Sequence, residues 1–135
     1  MMKTENRMLE LEEIEEKLLD NEQYDANQVE QMMPKLEEIM RLRDERNAVI
    51  LAHYYQIQPI QLVADVRGDS LKLAEAAKEI KNKGLVICSM VKFMAEMVKL
   101  LSPEKKVVVP DLGAGCSIAE GMNGESVRKI RERFP

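Results

Sequence analysis

The chain has 135 residues, 45% of them hydrophobic, which is enough apolar material for one core and therefore for one domain. Its 20 lysines and arginines against 24 aspartates and glutamates give a net charge of -4, which makes nucleic acid and anionic membranes poor partners. A membrane helix needs about 20 consecutive apolar residues, and the sequence contains no such run. Its charged start, MMKTENRMLELEE, is unlike a secretory signal, so we expect a cytoplasmic protein.

The first 46 residues predict an N-terminal helical region, 1–46. One apolar stripe recurs at helical spacing between residues 5 and 20: Met8, Leu11, Ile14 and Leu18. A second helical pattern follows the turn-like segment DNEQYDAN and contains Pro34. Because proline lacks the N–H that a helix interior needs, the sequence predicts a break there, with Pro34 opening a helix that runs to about Arg46.

Residues 47–135 predict an α/β fold. Three short apolar runs without polar alternation are typical of strands covered on both faces: NAVILAHYY from Asn47, LVICSM from Leu85, and KKVVVP ending at Pro110. The segments between them have helical patterns, DSLKLAEAAKEIKN and VKFMAEMVKLL. This alternation predicts a three-layer αβα domain with a short parallel sheet, preceded by the N-terminal helices. The last 20 residues predict a helical turn from Ser117 and a basic helix ending at Phe134.

The residues that follow each strand are the candidates for a site, because ligands bind beyond the carboxyl ends of parallel strands. The first strand is predicted to end in His53, Tyr54 and Tyr55, and strand geometry would send His53 and Tyr55 to one face. An imidazole and a phenol would then share one wall of a crevice. A histidine at a strand end also serves in many proteins as a hydrogen-bonded structural residue, and both interpretations stay open on spacing alone.

The Gly68-Asp69-Ser70 segment is predicted to open a helix. Aspartate or serine there would cap free backbone N–H groups, and the helix dipole would favour a bound anion. Helix capping is by itself a sufficient reason for Ser70.

The third candidate is Cys116 in the segment PDLGAGCS. Gly113 and Gly115 permit a tight turn, and Ser117 with Glu120 matches the capping-box pattern, which would put Cys116 at the N-terminus of a helix. Such a position favours a thiolate, the form that binds soft metals. A single cysteine cannot hold a zinc ion or an iron-sulfur cluster, so any further ligands would lie elsewhere. The other cysteine, Cys88, lies within LVICSM and is typical of a small core residue.

Three segments together resemble the first domain of quinolinate synthase in order and spacing: ILAHYYQ (50–56), GDSLKLA (68–74) and KFMAEMVKLLSPEKKVVVPDLGAGCSIAEGM (92–122). The resemblance spans residues 36–134. It implies an enzyme of NAD biosynthesis that condenses iminoaspartate with dihydroxyacetone phosphate, with three similar αβα domains around a central site. It also implies a 4Fe-4S cluster bound by three cysteines, one from each domain.

Carried over by position, the resemblance implies a role for four residues. Cys116 matches the first-domain cluster ligand, and His53 and Tyr55 match a pair in which the histidine contacts substrate and the tyrosine transfers protons. Ser70 matches a serine that contacts the acidic groups of the substrate. The second and third domains would have to supply the other cysteines, so we expect this chain to be inactive by itself.

Two other interpretations remain open at this stage. The chain could be a non-enzymatic interaction module that uses its acidic N-terminal helices, or a stand-alone flavodoxin-like phosphate binder that uses the GDS segment and the Gly-rich loop. An isolated first domain of the quinolinate synthase type would also expose apolar faces that sister domains normally cover, and we expect it to self-associate.

Overall fold

A computed structural model describes residues 9–135, which form seven helices and four strands. In chain order these are α1 (Leu11–Leu19), α2 (Ala26–Glu45), β1 (Ala48–His53), α3 (Gln58–Val63), β2 (Val66–Gly68), α4 (Ser70–Glu79), β3 (Leu85–Ser89), α5 (Lys92–Leu101), β4 (Lys106–Val108), α6 (Ser117–Glu120) and α7 (Gly124–Arg133). Met8, assigned to the first helix from sequence, lies outside the described residues. None of the helices in 9–135 is both long and apolar enough to cross a membrane.

The four strands form one parallel sheet in the order β2-β1-β3-β4, which confirms the predicted α/β class. Three of these strands were predicted from their apolar runs. The strand β2 was not, because it is only three residues long and follows directly on helix α3, so that the apolar residues of 62–66 are divided between two elements. The first predicted strand is also shorter than expected: β1 ends at His53.

Helices cover both faces of the sheet. Alternate residues of β1 point to opposite faces, as the period of a strand requires. One face packs under α4 and α5 in the largest core cluster, which contains Val49, Leu51, Val66, Leu73, Ala74, Ala77, Val86, Cys88, Met90, Ala95 and Val98. On the other face, Ile50 and Ala52 pack with Ala64 beside α3. The layers are therefore helix, sheet and helix.

The N-terminal helices pack on α3 through a separate apolar cluster. Its buried members are Ile14, Leu18, Val29, Leu36, Leu62 and Val63. A buried ion pair adds a polar link, in which the Arg43 guanidinium on α2 lies 3.5 Å from the Asp65 carboxylate and Asp65 accepts the Ile50 N–H at 2.7 Å. Helix α2 then ends in a turn at Asn47, whose φ of 48° is a left-handed conformation that asparagine tolerates well.

The prediction that Pro34 breaks the second helix is wrong. Helix α2 runs without interruption from Ala26 to Glu45, with Pro34 inside it. Proline leaves the carbonyl of residue i-4, here Glu30, without its helical partner. Glu30 and Pro34 both lie on the exposed side of α2, where water can satisfy that carbonyl, while Val29 and Leu36 remain buried. Packing of the buried face therefore outweighs the local cost of the proline.

Candidate functional site

His53 and Tyr55 lie against each other beyond the carboxyl end of β1. Their rings stack with centroids 4.0 Å apart and an interplanar angle of 28°, and the His53 Nδ1 accepts the Tyr55 backbone N–H at 3.3 Å. A neutral imidazole that accepts at Nδ1 carries its proton on Nε2. The expected pairing of the two rings is present, but its geometric reason differs from the prediction: a turn at Tyr54 and Tyr55, not strand alternation, brings Tyr55 back onto His53.

The phenol of Tyr55 reaches the N-terminus of α5. Its oxygen accepts the Val91 backbone N–H at 2.6 Å and lies 3.9 Å from the Met94 Sδ. The side chain is nevertheless half exposed. The hydroxyl group is therefore held in place at its oxygen while its ring remains accessible from solvent.

Partial burial lowers the pKa of His53 below its ordinary value, because desolvation penalises the imidazolium form. The negative charge of Asp69 acts in the opposite direction and is the smaller effect. The ring is consequently neutral near pH 7, in the form that both accepts and donates a hydrogen bond.

Ser70 lies at the same edge of the sheet. The strands β1 and β2 pair His53 with Gly68, and the Tyr54 N–H donates to the Gly68 carbonyl at 3.2 Å. Ser70 begins α4 two residues after Gly68 in the chain. Asp69, not Ser70, caps that helix, since its carboxylate accepts the Lys72 N–H at 2.9 Å. Capping is therefore no longer a sufficient reason for Ser70, a half-buried residue in the first helical turn.

Cys116 lies at the N-terminus of the four-residue helix α6, as the sequence predicted, where it occupies the N-cap position and is half-buried. The predicted capping box is wrong: Ser117 is the first helical residue rather than the cap. The preceding turn is built by Asp111, whose carboxylate accepts the Gly113 N–H at 2.7 Å. Neither Gly113 nor Gly115 adopts a left-handed conformation.

Two adjacent backbone N–H groups at the start of α5 connect Tyr55 to the Cys116 loop, the segment 109–116 between β4 and α6. The Lys92 N–H donates to the Ala114 carbonyl at 2.9 Å, and the Val91 N–H donates to the Tyr55 oxygen. The loops that follow β1, β3 and β4 therefore meet at one edge of the sheet. Sequence reasoning did not identify this junction, because its groups belong to the backbone and carry no residue signature.

The comparisons with known proteins cover the part of the chain that contains all these residues. The family described as Quinolinate synthetase A protein matches residues 37–135. The chain belongs to this family.

Quinolinate synthases from three organisms illustrate the similarity. The one from Methanothermobacter thermautotrophicus is 47% identical over 98 residues, which are 73% of this chain and 32% of that protein. The one from Sinorhizobium fredii is 52% identical over 103 residues (76% and 28%), and the one from Thermotoga maritima is 47% identical over 100 residues (74% and 33%). This quinolinate synthase-family chain therefore spans about a third of the length of these relatives.

A complete iron-sulfur site does not fit the donor groups found here. In residues 9–135 the structure brings together no group of three or more histidine, cysteine or carboxylate side chains that could hold a metal. Cys116 is one available thiol. Cys88 is fully buried in the core, and desolvation raises the pKa of its thiol to about 12, which keeps it protonated and unsuited to bind a metal. This part of the chain can therefore offer one cysteine ligand.

Proposed function

We propose that this chain forms one wall of a quinolinate synthase active site, which condenses iminoaspartate with dihydroxyacetone phosphate to quinolinate in NAD biosynthesis in the cytoplasm. The observation that carries the proposal is the meeting of His53, Tyr55, Ser70 and the Cys116 loop at the carboxyl edge of one parallel sheet. Ligands bind at this edge in open α/β folds, and all four residues lie within the family match.

Ser70 and the N-terminus of α4 are suited to an acidic group of the substrate. Helix α4 is ten residues long, so its peptide dipoles favour a carboxylate or phosphate at its N-terminal end. The Ser70 hydroxyl would add a directed hydrogen bond to the same group.

His53 and Tyr55 are suited to orientation and proton transfer. A neutral His53 that accepts at Nδ1 presents its Nε2–H to a substrate oxygen. The Tyr55 oxygen already accepts the Val91 N–H, which would continue to donate to that oxygen after the hydroxyl has released its proton. Tyr55 would therefore act as general acid and base in isomerisation and ring closure, with His53 positioning the substrate.

Cys116 would supply one of the three cysteine ligands of a 4Fe-4S cluster, which would provide a Lewis acid for dehydration. The other two cysteines would come from the second and third domains, which the longer relatives have room for. The proton transfer assigned above involves only Tyr55, with His53 and Ser70 binding and orienting the substrate, and the chain by itself would be inactive.

Complementation tests the proposal. The chain is mixed anaerobically with the remaining two thirds of a relative, such as residues beyond the match in the Thermotoga maritima protein, together with iron, sulfide and both substrates. We expect quinolinate from the mixture and none from either piece alone. Absence of quinolinate, with both pieces folded and associated, would overturn the proposal.

Matched tyrosine variants then identify the proton donor. Tyr55→Phe removes the hydroxyl that contacts Val91 and should lower kcat of the complemented enzyme by about 100-fold or more, the scale of general acid-base catalysis. Tyr54→Phe removes the hydroxyl of the neighbouring tyrosine, a residue of similar exposure, and should leave kcat unchanged. Equal effects of the two substitutions would contradict the assignment to Tyr55.

A further inference from the structure

Gln61, on helix α3, binds both backbone carbonyls that flank Tyr55. Its Nε2 donates to the Tyr54 carbonyl at 3.0 Å and to the Gln56 carbonyl at 2.7 Å. A side-chain amide has two N–H donors, so these two bonds use both of them. Sequence reasoning did not single out Gln61.

The two bonds complete a small closed turn. The Gln56 N–H donates to the His53 carbonyl at 3.0 Å, and the His53 Nδ1 accepts the Tyr55 N–H. Each of the residues from His53 to Gln56 therefore has a backbone group in a hydrogen bond within this turn or to Gln61. Without Gln61, the Tyr54 and Gln56 carbonyls would face water, and the turn would be closed from one side only.

Helix α3 is a firm support for such a contact. It is six residues long, and Pro59, Leu62 and Val63 are all buried. Leu62 and Val63 belong to the apolar cluster that α3 shares with the N-terminal helices. The Gln61 side chain is partly buried between this support and the turn. It thus transmits the position of a packed helix to the two half-exposed tyrosines.

We propose that Gln61 is a positioning residue that fixes the turn from His53 to Gln56 and thereby sets the place of the Tyr55 hydroxyl. It does not touch the reacting atoms. It acts through the Tyr54 and Gln56 carbonyls, and its role in catalysis rests on the proposed function of Tyr55.

The first test is spectroscopic and needs no activity. His53 is the only histidine in the chain, so its ring protons give one assignable pair of NMR signals that report the stacked Tyr55 ring. Gln61→Met keeps the length of the side chain and removes both donors. We expect the His53 ring signals to move toward unstacked positions and the Gln56 amide to exchange with solvent at least tenfold faster.

Gln58→Met is the matched control on the same helix. Gln58 contacts Asn21 and the Lys17 carbonyl, both in or next to α1, and neither of these bonds reaches the turn. We expect His53 signals and Gln56 exchange as in the unchanged chain. Gln61→Glu is a second variant, because a carboxylate of the same shape accepts but does not donate, and it should reproduce the faster Gln56 exchange. Unchanged signals in both Gln61 variants would overturn the proposal. Global unfolding of Gln61→Met would also overturn it, because Gln61 would then stabilise the whole fold rather than the turn.

Activity separates this proposal from the proposed function. In the complemented enzyme, Gln61→Met should lower kcat by about 10- to 100-fold with little change in KM, the scale expected when a reacting group is misplaced by about 1 Å. An altered NMR spectrum with unchanged kcat would confine Gln61 to a structural role and overturn the positioning claim. Failure of the unchanged enzyme to make quinolinate would instead strike the proposed function and leave the spectroscopic result intact.

Discussion

At the scale of single residues, the titration of His53 follows from two opposing causes. Desolvation lowers its pKa below the ordinary value of about 6.5, and the Asp69 carboxylate partly offsets this effect. We therefore expect an NMR titration of the single histidine to give a pKa below that of an unfolded histidine peptide. Asp69→Asn should lower the pKa further, because it removes the negative charge while an asparagine can still cap α4.

The lowered pKa of His53 also makes the stability of the fold depend on pH. A histidine with a lowered pKa in the folded state binds fewer protons than in the unfolded state, so its contribution is present above about pH 6.5 and is lost as the pH falls through and below that value. His53→Gln should flatten this part of the stability profile. A His53 pKa at or above the peptide value, or a rise in pKa in Asp69→Asn, would contradict this assignment of causes.

The sequence located the four candidate residues but not the contacts that hold them. Sequence alone could identify His53, Tyr55, Ser70 and Cys116, because each follows a predicted strand or opens a predicted helix. The capping role predicted for Ser117 was misplaced by one residue, and of the two caps predicted for α4 the structure has Asp69 rather than Ser70, since a cap is defined by where the first helical residue falls. Backbone partners such as the Val91 N–H have no residue signature and require the three-dimensional structure.

At the scale of elements, Lys105 links the C-terminal end of α4 to the loop that precedes β3. Its buried ammonium group donates to the carbonyls of Ile80, at the end of α4, and of Lys83. Lys99 in turn donates to the Lys105 carbonyl at 2.6 Å. Cations stabilise the C-terminal ends of helices, and buried carbonyls without a partner are costly.

We therefore expect Lys105→Met to reduce the free energy of unfolding by about 1–3 kcal/mol, the cost of leaving buried polar groups unpaired. The adjacent exposed residue provides a control, and Lys106→Met should change the free energy of unfolding by less than about 0.5 kcal/mol. Urea denaturation of both variants measures the difference. Equal effects would mean that the two carbonyls are satisfied by water without Lys105.

Element boundaries followed from sequence wherever one physical effect dominated. Helices α4 and α5 were predicted because their apolar residues recur at helical spacing, and β3 because its apolar run lacks polar alternation. The intact α2 was missed, because the burial of Val29 and Leu36 decides its continuity and Pro34 gives the opposite local signal. The short β2 was missed because sheet pairing, not its own composition, makes it a strand.

At the scale of the whole molecule, helix α7 is one of several elements that expose large apolar side chains. Val127 and Ile130 on α7 and Phe134 at its C-cap recur at helical spacing, and they are 40%, 50% and 69% exposed. Contiguous exposed apolar surface is typical of interaction sites. We therefore expect the isolated chain to self-associate, with sedimentation coefficients that rise with concentration.

A matched pair of substitutions on α7 locates the association. Ile130→Gln removes an apolar contact and should weaken it, whereas Arg131→Gln, on the same helix, should not. A monomer at every concentration in sedimentation velocity would contradict the expectation. Association that neither substitution weakens would show that the contact lies on another surface.

The most direct test of the central claim measures cluster assembly. The chain, the complementary two thirds of a relative, iron and sulfide are combined anaerobically, and the 4Fe-4S content is determined by Mössbauer spectroscopy. We predict a stoichiometric cluster only in the mixture, lost in Cys116→Ser and retained in the core control Cys88→Ala. A cluster that forms equally well with Cys116→Ser, or on the complementary piece alone, would contradict the claim that this chain supplies a cluster ligand.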